Sequence, residues 1–281
     1  MRAATLAVLV AGLAAARPLA GQTPSDPRLY LSIFGGYRAT EQLWSLTDQP
    51  FAVFVPSSDS TILTGANVYD TLNLSRHIVP GFIIGVAGTY FPGPHLGFSG
   101  EFAFLGMDVE SHCSIRQSQP AYPSDVDPSL CADLDGQVEG GSAVSVAVGF
   151  VARATPGKGT FPYIRVSAGF IARDRSTIQM IGSYVNGDGI ASVAVVDEQN
   201  PLKTAAQFTI GAGVSVSTGR GYELWLEGRD VIALLDRVSG PASPTDPTGT
   251  LFPPHGSRYF HNFVLALGLD VIFEQRRGHR Y

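Results

Sequence analysis

The segment from His261 to Phe273 alternates strictly between large apolar side chains and smaller or polar ones. Successive side chains of a β-strand point to opposite faces, so this alternation predicts a strand whose two faces meet different surroundings. The segment is long enough to cross a bilayer at a tilt. Its apolar face carries Phe263, Leu265, Leu267, Leu269, Val271 and Phe273.

Seven earlier segments repeat the alternation. Each puts apolar residues on one face and small or polar residues on the other, as in the segment 207–217, where Phe208 and Ile210 alternate with Gln207 and Thr209. The remaining six begin near Leu31, Phe82, Leu96, Val144, Ile164 and Tyr222. The pattern therefore predicts an all-β fold with eight strands.

The connections between these strands alternate in length. Short links rich in Gly and Pro lie at 92–95, 155–159 and 218–221, whereas long polar links span about 40–80, 111–141, 176–204 and 236–258. An up-and-down antiparallel transmembrane barrel has short turns at one end and long loops at the other. The first long link is unusually apolar around Leu43, Trp44 and Leu46, so it folds over the barrel mouth, continues strands above the membrane, or adds a strand pair that makes ten.

Composition excludes two classes of protein. The charged fraction is 15%, the net charge is −5 and the isoelectric point is about 5.6, so no basic surface is available to neutralise nucleic-acid phosphates. The most apolar internal stretch, 79–91, is interrupted by Pro80, Gly81, Gly85 and Gly88, and this excludes a helical membrane protein.

The amino terminus has the pattern of a secretory signal peptide. Arg2 precedes an apolar run from Leu6 to Ala16, and a polar segment starts at Thr23. We expect residues 1–22 to be the signal peptide and 23–281 to be the barrel domain.

The face opposite the apolar one carries charges of both signs. A barrel of eight strands is just wide enough for side chains to fill its interior, and unpaired buried charges cost several kcal/mol. We therefore expect an inner ion-pair network and a plugged lumen in a monomeric barrel without a cofactor. The residues of this network are Glu101, Arg153, Arg165, Arg173, Glu223, Glu227 and Arg229.

Three further features concern the loops and the membrane boundaries. Cys113 and Cys131 fall in the second long link with 17 residues between them, and a disulfide there stabilises by roughly 3 kcal/mol in an oxidising compartment. Asn186 to Gly189 in the third link predicts a projecting hairpin. Aromatic residues near strand ends are expected to form interfacial girdles. These are Tyr37, Tyr90, Phe91, Phe161, Tyr222, Tyr259 and Phe260.

The signal peptide, the alternating strands and the apolar last strand together resemble the bacterial outer-membrane β-barrel superfamily, of the small eight-stranded type. The resemblance implies insertion into outer-membrane lipid by the barrel-assembly machinery. It also implies that the last strand, with Phe263, Leu265, Leu267, Leu269, Val271 and Phe273, is the assembly signal. This chain departs from the family pattern by a short extension, 274–281.

Three functional hypotheses follow. The first is a non-enzymatic barrel with a structural or interaction role through its outer loops, whose ligand the sequence does not name. The second is a narrow channel for small hydrophobic molecules, favoured by the inward Phe34 and Trp225. The third is a lipid-modifying enzyme in which His261 acts with Ser257. A further hypothesis places a weak cation site at His112, Asp108 and Glu110, although no pair of histidines has metal-ligand spacing in the sequence.

Overall fold

The computed structural model describes residues 28–39, 41–52, 69–116, 126–154, 159–174, 179–186, 189–196, 204–219, 221–234 and 259–274. The expected signal peptide, the extension beyond Glu274 and Ser257 lie outside these residues. The elements are β1 (Arg28–Arg38), β2 (Glu41–Ala52), β3 (Tyr69–Ile78), β4 (Gly81–Phe91), β5 (Leu96–Gly106), β6 (Val109–Arg116), α1 (Val126–Leu134), β7 (Val138–Glu139), β8 (Ser142–Arg153), β9 (Thr160–Arg173), β10 (Met180–Asn186), β11 (Gly189–Val196), β12 (Thr204–Gly219), β13 (Tyr222–Leu234) and β14 (Tyr259–Glu274).

Eight of these strands close into an antiparallel barrel in the order β1-β14-β13-β12-β9-β8-β5-β4. The first and last strands close the ring, because β1 pairs with β14 on one edge and with β4 on the other. In this register Leu31 lies opposite Val271 and opposite Gly88. All eight predicted strands are present, and closure leaves no unpaired edge, as lipid requires of a spanning sheet.

The outer face of the barrel is an apolar belt. Side chains such as Phe82 (78% exposed), Val148 (68%) and Phe170 (63%) face outward from strands whose alternate positions are buried. Exposure this high is acceptable for large apolar groups only where the surrounding medium is itself apolar. No helix in the described part of the chain is long and apolar enough to span a membrane.

The expected aromatic girdles need a correction. Tyr37, Tyr90, Tyr222 and Tyr259 are about half exposed on the outer face, near strand ends, as predicted. Three other members of the predicted set point into the barrel and are buried, with exposed fractions of 2–5%: Phe91, Phe161 and Phe260. The reason is the alternation of side chains along each strand, which puts these three residues at inward positions.

The described parts of the first three long links form an outer unit at one end of the barrel. A four-stranded sheet has the order β2-β3-β6-β7, and β10 pairs with β11 as the predicted hairpin. Only two residues separate β3 from β4, and only two separate β5 from β6. Because β4 and β5 are a hairpin of the barrel, the outer sheet extends this hairpin beyond the apolar belt. The ten-strand alternative is therefore wrong: β2 and β3 pair in the outer sheet, and β2 is irregular at Gln42/Trp44 and Leu46/Gln49.

Candidate functional sites in the lumen, the outer unit and the barrel wall

Four charged side chains meet in the middle of the lumen. Glu101 contacts Arg165 Nη1 at 3.0 Å and Arg229 Nη1 at 2.6 Å, each through one carboxylate oxygen. Glu227 lies 3.4 Å from Arg165 Nε and 3.7 Å from Arg229 Nε. The β5 and β13 strands are on opposite sides of the ring, so the Glu101–Arg229 pair crosses the bore. Two carboxylates and two guanidiniums thus form a neutral network across the lumen.

The other predicted lumen residues lie elsewhere along the bore. Near the short turns, Arg153 donates to Tyr30 Oη at 2.7 Å and to the Pro94 carbonyl at 2.9 Å, and its guanidinium lies 3.7 Å from the Phe91 ring centroid. Glu223 accepts a hydrogen bond from Ser215 Oγ at 3.0 Å. Arg173 is buried at the opposite end of β9. The structure therefore brings four of the seven residues into direct ionic contact and distributes the other three.

Sequence reasoning omitted Asp270 from the lumen set. Its Oδ1 accepts hydrogen bonds from Ser32 Oγ at 2.5 Å and Trp225 Nε1 at 2.8 Å. The parity of β14 places Asp270 on the inward face, and this signal could have identified it. Trp225 and Phe34, with ring centroids 5.8 Å apart, fill the adjacent bore.

The space left inside this end of the lumen is small. A cavity of about 30 Å³ is lined by the Arg153 and Asp270 groups and their aromatic neighbours. Such a volume holds one or two water molecules. Inward glycines make room for the large rings: a Cβ at Gly268 would overlap the Trp225 indole, and a Cβ at Gly85 would overlap the Phe34 ring.

The outer unit has a hydrophobic core that is continuous with the buried residues of the barrel lumen. Leu43, Trp44 and Leu46, the apolar residues of the first long link, are 0–3% exposed. They are buried together with residues of β3, β6, α1, β10 and β11: Leu72, Leu74, Val109, Leu130, Leu134, Met180 and Val196. The predicted disulfide between Cys113 and Cys131 joins β6 to α1.

A buried ion pair in this unit was not anticipated. Arg76 is fully buried, and its Nη2 lies 2.9 Å from Glu139 Oε2 on β7. A second guanidinium nitrogen donates to the Gln179 carbonyl. Burial lowers the pKa of Arg76 below its ordinary value, and Glu139 opposes that change. Arg76 thus ties together β3, β7 and the start of the third long link.

Two histidines and two carboxylates meet on the polar face of the outer sheet. The His77 and His112 rings have centroids 5.2 Å apart. His112 Nδ1 lies 3.3 Å from Asp135 Oδ1, and its Nε2 lies 3.9 Å from Glu110 Oε2. Burial, and then the neighbouring His112, lower the pKa of His77, and Glu110 acts in the opposite direction.

Asp108, the third member of the cation site considered from the sequence, does not join this cluster. Its Oδ1 accepts the backbone N–H of Gly141 at 3.1 Å.

The barrel wall carries one polar pair on its outer face. His261 Nδ1 lies 2.7 Å from Asp230 Oδ2 on the neighbouring strand. Among the described barrel strands, these are the only acidic or basic side chains at outward positions. Both lie near the ends of their strands that face the long links. Charged groups on the lipid face cost less near the interface than at the midplane, and pairing lowers that cost further.

No protein-family model and no curated protein sequence matches the chain. Among solved structures, it is similar to the outer membrane protein OprG from Pseudomonas aeruginosa, with 10% identity, a TM-score of 0.41, and coverage of 90% of this chain and 100% of that one. It is also similar to Neisserial surface protein A, with 10% identity, a TM-score of 0.40, and coverage of 89% of this chain and 100% of that one. A third similar structure is the outer membrane protease OmpT from Escherichia coli, with 9% identity, a TM-score of 0.33, and coverage of 91% of this chain and 99% of that one.

The chain's own strand pairing establishes the fold. A closed ring of eight antiparallel strands, an apolar belt around it and long connections gathered at one end are the features of a membrane-spanning barrel. The chain is therefore a small eight-stranded β-barrel of the outer-membrane type.

Proposed function

We propose that this protein is a non-enzymatic outer-membrane barrel that acts through the part it presents outside the membrane. The observation that carries the proposal is the outer unit, in which the described parts of the first three long links build sheets with a hydrophobic core and a disulfide. A surface held in one conformation loses little entropy on binding. The barrel then serves as the membrane anchor of this unit.

The route to the membrane belongs to the same proposal. Residues 1–22 direct export, and Phe263, Leu265, Leu267, Leu269, Val271 and Phe273 act as the assembly signal for the barrel machinery. The outward positions of these six side chains on β14 support that role, because they are available to a partner before the ring closes.

The proposed function requires a sealed lumen, whereas the alternative of a narrow channel for small hydrophobic molecules requires an open one. The Glu101–Arg229 contact across the bore and the cavity of about 30 Å³ support a seal. Planar-bilayer recordings of the wild-type protein should give no steady open state, whereas the double variant Glu101→Ala, Arg229→Ala should leak. Liposomes that carry the wild-type protein should take up a small apolar solute no faster than protein-free liposomes do. A steady wild-type current, or uptake faster than that of protein-free liposomes, would contradict the seal and favour the channel.

A second candidate function, lipid modification, is favoured by His261 and Asp230. With its Nδ1–H donated to the carboxylate, a neutral His261 carries its lone pair on Nε2, which is the arrangement of a general base. The pair lies on the lipid-facing wall near the long-link end, and Asp230 replaces Ser257 as the partner that the described residues supply. Lipid extracts from cells with wild-type protein, His261→Ala or Asp230→Asn distinguish the two functions. Identical lipid profiles would exclude the enzyme.

A further inference from the structure

We propose that His77, His112 and Glu110, with Asp135 beside them, form a binding site for a divalent transition metal such as zinc on the outer unit. The geometry of the β3–β6 pair is the first argument. In its register His77 lies opposite Glu110, and His112 lies opposite Ser75, so both imidazoles stand on the same polar face. Zinc takes imidazole nitrogen and carboxylate oxygen as ligands.

The spacing of the two rings suits a shared ion. Two imidazoles bound to one tetrahedral zinc through Zn–N bonds of about 2.0–2.1 Å have ring centroids roughly 5 Å apart. The His77 and His112 centroids are 5.2 Å apart. The 3.9 Å between His112 Nε2 and Glu110 Oε2 is too long for a hydrogen bond, and a small closure would let both atoms bind one ion. In the described residues no three such side chains already converge on one point, so binding requires side-chain rotation.

The local charge also favours a divalent cation. With both imidazoles neutral, Glu110 and Asp135 give the cluster a formal charge of −2, and the ion pairs of these two carboxylates in the described part of the chain are with His112 alone. Two adjacent imidazoles cannot both take protons without repelling each other. A metal ion neutralises the carboxylates and bridges the imidazoles at the same time.

The backbone under the cluster is held in place by the disulfide. His112 precedes Cys113, whose backbone N–H donates to Asp135 Oδ1 at 3.3 Å. Asp135 directly follows α1, and its own N–H donates to the Cys131 carbonyl at 3.0 Å. The double variant Cys113→Ser, Cys131→Ser frees the helix end that carries Asp135 without adding thiol ligands, so it should weaken metal affinity.

Zinc titration of the untagged, full-length protein in detergent tests this site. Calorimetry should show one zinc per chain, with the affinity reduced at least tenfold in His77→Ala and in His112→Ala. His95→Ala, at a short turn far from the outer unit, is the matched control and should bind as the wild type does. Heat-modifiable gel mobility confirms that every variant is folded.

Cobalt(II) supplies a readout that reports coordination directly. The wild-type protein should give the strong visible absorption of a tetrahedral site, and the double variant His77→Ala, His112→Ala should not. The absence of stoichiometric zinc binding by the wild type would overturn the proposal, and so would unchanged affinity in the double variant.

Discussion

Within the lumen, Glu227 supplies one of the two carboxylates that balance the charges of Arg165 and Arg229. It faces both Arg165 and Arg229, and its side chain is fully buried. Glu227→Ala would leave two buried guanidiniums sharing the single carboxylate of Glu101. Removing one partner of a buried pair costs about 3–5 kcal/mol. Urea unfolding in a fixed detergent should show a loss of this size in the free energy of unfolding.

A second variant tests whether that loss comes from charge. The double variant Glu227→Gln, Arg229→Gln removes one charge of each sign. Its loss in the free energy of unfolding should therefore be smaller than the sum of the losses of the two single variants. Strict additivity would show that the two side chains do not interact.

Glycine at position 268 permits the close packing of the aromatic plug. A Cβ there would overlap the Trp225 indole, whereas a Cβ at Gly100, on the outer face of β5, would meet nothing within 4 Å. Gly268→Ala should destabilise the barrel by about 1–3 kcal/mol, because overpacking forces side chains off their rotamers. Gly100→Ala should change stability by less than about 0.5 kcal/mol. Equal urea midpoints for the two variants would contradict this account of the plug.

Among the elements, the disulfide connects β6 and α1 but touches no barrel strand. The double variant Cys113→Ser, Cys131→Ser should lose roughly 3 kcal/mol of loop-closure stabilisation, confined to the outer unit. Limited proteolysis should therefore cut near α1 much faster, while the shift in gel mobility on boiling stays unchanged. Wild-type protein treated with reductant should behave like the variant. Loss of detergent resistance in the barrel itself would show that the two parts unfold together.

The barrel strands could be predicted from sequence because each one is an unbroken alternation that lipid on one side enforces. The same parity already placed Phe91, Phe161 and Phe260 inward, and the girdle prediction failed because it considered only their position near strand ends. The outer sheet was harder, since β2 carries two irregularities that break its period.

Long-range partners could not be predicted from the sequence. Arg76 is 63 positions from Glu139, and His261 is 31 positions from Asp230, so only the folded chain brings these groups together. The lumen network was easier to foresee, because it needs only the inward parity of charged residues and the cost of leaving them unpaired. Which of the seven residues would meet depended on the strand order and register.

For the whole molecule, the proposed function requires the long links to face the outside of the cell. The chain has only two lysines: Lys158 lies in the short link between β8 and β9, and Lys203 lies in the long link just before β12. In outer-membrane barrels short turns face the periplasm and long loops face outward. An amine reagent that cannot cross the membrane should therefore modify Lys203, but not Lys158, on intact cells.

Lysis supplies the internal control for that experiment, because both lysines should react once the membrane is opened. Peptide mass spectrometry separates the two sites, and Lys203→Arg should abolish modification at that position without changing Lys158. The reverse pattern on intact cells, with Lys158 modified and Lys203 protected, would put the outer unit in the periplasm. The disulfide-braced sheet and its histidine cluster would then face the periplasm, and the proposed role outside the cell would fail even though the barrel fold stands.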